Sequence, residues 1–111
     1  MTRTANLYIK DILDSIKSIR EYINGLTFEE FCGKKIVIDA VVRNFEIIGE
    51  AAKNTPKNVK SLHREIPWKE MSGMRNKMIH EYFGVDLHIV WKTIQTLSGL
   101  EISLKKISPK L

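Results

Sequence analysis

From Lys35 to Asn54 the chain carries Val37, Ile38, Val41, Val42, Phe45, Ile48, Ala51 and Ala52 at three-and-four spacing. An apolar face this wide suits a helix packed on two neighbours at once, which makes it the central helix of a bundle. Ahead of it, Ile9, Ile12, Leu13, Ile16, Ile19 and Ile23 repeat with the same period from about Ala5 to Asn24. Lys10, Asp11, Asp14, Lys17 and Arg20 take the opposite side, and Asn24-Gly25 supplies a C-terminal stop. Thr27-Phe28-Glu29-Glu30 fits a capping box, which opens a short helix to about Phe31 with a break at Gly33.

Pro56 ends the central helix. The polar stretch Thr55 to Ile66 offers Val59 and Leu62 as anchors of a short helical turn. Pro67 suits the first turn of a third helix, Pro67 to Phe83, lined by Met71, Met74, Met78 and Tyr82 and closed by Gly84. Asp86 is placed to cap a last helix in which Leu87, Val90, Ile94, Leu97, Leu100, Leu104 and Ile107 stay in phase through Gly99. That phase predicts one helix to about Ile107, stopped by Pro109. No alternating run, repeat or low-complexity tract interrupts this pattern. The fold class expected is all-α: an up-and-down helical bundle of four main helices plus short connecting helices, in a single domain over 1–111.

Lys and Arg number 18 against 13 Asp and Glu, a net charge of +5 that favours polyanionic partners through counterion release. The lysines are spread along the chain, so a structured basic face and ordinary solvated helix faces both fit them. Cys32 is the only cysteine, which excludes an intrachain disulfide and suits a reducing cytoplasm. Met1 to Asp11 lacks the apolar core of a signal peptide, and no window approaches a membrane span.

The stretch Arg75-Asn76-Lys77-Met78-Ile79-His80-Glu81-Tyr82 gathers a guanidinium, a carboxamide, an imidazole and a phenol within about two helical turns. An Arg holds a phosphate through parallel hydrogen bonds, and a neutral His moves a proton at cellular pH. On an uninterrupted helix Arg75 and His80 stand roughly 140° apart, Asn76 and His80 share a face, and Arg75 and Tyr82 lie nearly in line. One phosphate can then be clamped between Arg75 and His80 only if the long Arg side chain wraps round or a second copy of the helix supplies the missing group. This favours a homodimer with the third helices facing across a cleft. Other candidates are weaker. His63 and His88 lack partners at zinc-ligand spacing, and no metal site is expected. Glu46 and Glu50, four apart, fit a divalent metal less well than a polar flank of the central helix. Trp68, Trp91 and the methionine stripe read as packing.

Arg75-Asn76, three residues, His80 and then Tyr82 resembles the signature of the HEPN superfamily, specifically the HepT-like toxin family. Asp39 to Ala52 is similar to that family's central helix, and Ile66-Pro67-Trp68 to its approach to the motif helix, so the resemblance covers nearly the whole chain. It implies a metal-independent endoribonuclease without cofactor, the toxin of a type VII-like toxin-antitoxin pair acting on tRNA or mRNA. The implied partner is a nucleotidyltransferase antitoxin that transfers AMP to Tyr82. Arg75 and His80 become the catalytic pair and Asn76 a supporting polar residue, while Glu81 occupies a position the motif leaves free. The alternative is a non-catalytic helical subunit that presents substrate or nucleotide to a nucleotidyltransferase.

Overall fold

The computed structural model describes residues 4–80 and 84–108, with residues 79 and 80 described through their backbone. The first amphipathic stretch forms α1 (Ala5–Ile23), and Gly25 follows with φ +79°, a conformation glycine adopts without steric cost. The capping box closes as expected at the start of α2 (Phe28–Cys32). The Glu30 amide donates to Thr27 Oγ1 at 3.2 Å and the Thr27 amide to Glu30 Oε1 at 3.0 Å. Those contacts with Thr27 hold the Glu30 carboxyl below its ordinary range.

The wide stripe becomes α3 (Lys35–Asn54), which packs along α1 on one side and against two short helices, α5 (Trp68–Ser72) and α6 (Met74–Met78), on the other. Val41, Val42, Phe45, Ile48, Ala51 and Ala52 are all buried there. Before α5 comes α4 (Lys57–Leu62), where Val59 is buried but Leu62 is 75% exposed. Val59 alone therefore anchors that turn.

Two long helices expected from periodicity are each divided. The third does not run from Pro67 to Phe83. It breaks at Gly73, whose amide donates to Lys69 O, and resumes as α6 only to Met78. Ile79–His80 (β1) then pairs antiparallel with Gly84–Val85 (β2), opposing Ile79 to Val85 and His80 to Gly84. The Asp86 amide reaches the Met78 carbonyl at 2.8 Å and fastens this hairpin. Gly84, with φ +73°, belongs to the hairpin rather than to a helix end. The last stretch splits into α7 (Leu87–Ile94), capped by Asp86 as expected, and α8 (Leu97–Ile107). At the split Thr96 Oγ1 donates to Thr93 O and the Thr96 amide makes a three-residue bond to the same carbonyl. Threonine thus competes with the helical ladder while the leucine phase carries on across the break. Among the described residues no helix is long and apolar enough to cross a membrane.

Gly49 sets how closely α3 and α5 approach. A Cβ there would stand 3.2 Å from Met71 O and 3.3 Å from Ser72 O, both backbone atoms that cannot turn aside. Gly49→Ala should therefore lower unfolding stability by about 1–3 kcal/mol. Gly99→Ala in α8, whose Cβ would meet nothing within 4 Å, should raise it by up to about 1 kcal/mol. Urea unfolding of the two variants checks the contrast.

Candidate functional site

A cleft of about 570 Å³ opens where α1, α3 and α6 meet. Its long wall is α3, which contributes Arg43, Glu46, Glu50 and Asn54 at successive three- and four-residue steps, a polar stripe one helix face wide. Ile47 and Ala51 lie between them, Tyr8 and Asp11 come from α1, and Arg75 comes from α6.

Arg75 reaches the cleft because α5 and α6 are held down by the buried Trp68, Met71, Met74 and Met78. The methionines fill the core, as their spacing predicts. Arg75 Nε stands 3.7 Å from Glu46 Oε2, and Arg43, three residues before Glu46 on α3, reaches the same oxygen through a terminal nitrogen at 3.7 Å. Two guanidiniums thus share one carboxylate, and the trio carries one net positive charge. With Arg75 58% and Arg43 68% exposed, both contacts are screened by water and can yield to an incoming phosphate. Four residues on, Glu50 Oε1 accepts from Asn54 Nδ2 at 3.2 Å. The cleft therefore has a cationic end around Arg43 and Arg75 and an acceptor-rich end around Glu50 and Asn54.

Of the motif residues, Arg75 and Asn76 are exposed neighbours on α6 and His80 follows in β1. Tyr82 and Glu81 lie outside the described residues. Because α6 ends at Met78, Asn76 and His80 do not share a helical face, and the argument that placed two third helices across a dimer cleft loses its premise. Glu46, on the polar flank of α3, also lies 3.7 Å from the Arg75 guanidinium. Among the described residues no group of three or more His, Cys, Asp or Glu side chains is arranged to hold a metal ion. His63 has structural partners: its carbonyl accepts from Trp68 Nε1, and its Nδ1 lies 3.5 Å from Glu65. His88 packs on Phe28 with ring centroids 4.8 Å apart. Sequence reasoning did not single out Arg43, Tyr8 or Asn54. The polar stripe from 43 to 54 was the available signal.

The model of the ribonuclease HepT-like family matches residues 12–107. The chain belongs to this family. It is 50% identical over 96 residues to the protein named probable ribonuclease HepT of Thermococcus cleftensis, covering 86% of each chain. A provisionally named RNase of Caldanaerobacter subterraneus subsp. tengcongensis is 43% identical over 109 residues, covering 97% of each. A longer protein of Methanocaldococcus jannaschii, whose name joins gamma-glutamylcyclotransferase to a provisional RNase, is 42% identical over 112 residues, which is all of this chain and 50% of that one. No solved structure matches the chain.

The exposure of the Arg75–Glu46 pair makes it an orienting contact rather than a stabilising one in this HepT-like protein. Glu46→Gln is expected to shift the free energy of unfolding by less than about 1 kcal/mol. A loss of several kcal/mol in denaturant titration would instead mark the carboxylate as a structural group.

Proposed function

We propose that this HepT-like protein is a metal-independent endoribonuclease and the toxin of a toxin-antitoxin pair. The observation that carries the reading is membership of a ribonuclease family together with Arg75 held at the rim of an open cleft by Glu46. RNA brings its own nucleophile in the 2′-hydroxyl, so the protein has to move a proton and stabilise charge. His80 takes the proton from that hydroxyl or delivers one to the leaving 5′-oxygen, a contribution of roughly 10²- to 10⁴-fold. Arg75 binds the oxygens of the pentacoordinate phosphorane, where one well-placed donor contributes about 10²- to 10³-fold. Asn76 orients the phosphate or the imidazole. The products are a 2′,3′-cyclic phosphate and a 5′-hydroxyl end.

Control falls to Tyr82. Transfer of AMP from a partner nucleotidyltransferase onto its hydroxyl adds a bulky anion two residues from His80, which repels RNA phosphates.

Purified protein of unmodified mass is expected to cleave a mixed RNA and tRNA pool in EDTA. Arg75→Ala and His80→Ala should each lose at least about 100-fold. A requirement for magnesium, or full activity in His80→Ala, would overturn the mechanism. Expressed in cells beside its antitoxin, Tyr82→Phe should remain toxic and escape neutralisation. Full neutralisation of that variant would show control by occlusion instead.

A further inference from the structure

The far end of the cleft has no role in phosphate chemistry, and its residues are of the kind that read a base. Glu50 and Asn54 lie one and two turns beyond Glu46 on α3, about 6 and 12 Å along the axis. That is the reach from a phosphate, through its ribose, to the pairing edge of the attached base. The volume of about 570 Å³ suits a small polar ligand such as one nucleotide. Ile47 and Ala51 give it an apolar floor, and Tyr8 sets an aromatic ring at its α1 side, where single-stranded RNA bases commonly stack.

The hydrogen bond between Asn54 and Glu50 decides what this end can recognise. A carboxylate only accepts, so the amide must turn its amino group toward Glu50, as it does at 3.2 Å. That leaves the second Glu50 oxygen and Asn54 Oδ1 as acceptors for a ligand, beside one remaining Asn54 amide N–H. With two acceptors against one donor, this end favours bases that offer an amino group. Guanine presents N1–H and its 2-amino group side by side, while cytosine and adenine present one amino group each. Uracil presents a single N3–H between two carbonyl oxygens, which a carboxylate repels. Arg43 and Arg75, sharing Glu46, hold the phosphate end.

We infer that the cleft is a nucleotide subsite in which Arg43 and Arg75 hold a phosphate and Glu50, with Asn54, selects the base, guanine foremost and uracil least. The inference deepens the ribonuclease reading and rests on it, since it makes Glu50 a specificity residue of that reaction. Glu50 and Asn54 are exposed, so their replacement leaves the core intact.

The test has two arms. In the first, GMP, AMP, CMP and UMP are titrated into the isotope-labelled protein and amide shifts along α3 are followed. GMP should bind about tenfold more tightly than UMP, the scale of one base contact. Glu50→Gln, whose amide both donates and accepts, should level the two, and Arg43→Ala should weaken all four alike. In the second, cut ends from a randomised single-stranded RNA are sequenced. Guanine should be enriched and uracil depleted at one position flanking the cut, with the bias lost in Glu50→Gln. Equal binding of the four nucleotides, no binding along α3, or a bias unchanged in Glu50→Gln would overturn the inference. Failure of the wild type to cleave RNA would defeat the ribonuclease reading alone, because the binding arm reads the subsite without cleavage.

Discussion

The position of the motif arginine depends on a missing side chain at Gly49. Helix α3 and helix α5 meet there with backbone against side-chain-free backbone, close enough that a methyl group would press on two carbonyl oxygens. Everything downstream inherits that approach. Trp68 and Met71 can lie in the core only because α5 sits low on α3, and α6 follows α5 by a single glycine. Arg75 therefore arrives beside Glu46 through the packing of two short helices rather than through any strong bond of its own. The ion pair is the outcome of the fold, and it aims a side chain that would otherwise sample many rotamers in water.

Where burial decides structure, the elements were readable in advance. The stripe of α3 predicts both of its ends, and Thr27 with Glu30 and Asp86 with Ile89 predict caps that form as hydrogen bonds. Where backbone chemistry decides, they were not. Met71, Met74 and Met78 keep helical spacing across Gly73, because a turn there preserves the phase that periodicity measures. The same blindness hides the Thr96 break, since Ile94 and Leu97 fall in line on either side of it. The hairpin has only two residues on each side, too few to alternate visibly. Leu62 shows the opposite error, an apolar residue at a suitable spacing that nothing covers.

The cleft was half legible. Arg75 stood out by residue type, and Glu46 and Glu50 by spacing. What joined them was the contact of α6 with α3, a relation between residues 29 positions apart that no local pattern encodes. Arg43 remained unnoticed because a lone arginine on an exposed helix face resembles any solubilising charge, and only the shared Glu46 oxygen gives it a place in the site.

The hairpin after Met78 separates the two ends of the motif mechanically. Arg75 rides on a helix fixed to the core, whereas the His80 backbone belongs to a two-stranded ribbon, a unit that is only marginally stable alone. Residues added or removed in that ribbon would move the histidine without repacking α3, α5 or α6. The bundle thus leaves the interval between arginine and histidine open to change by insertion while the core stays the same.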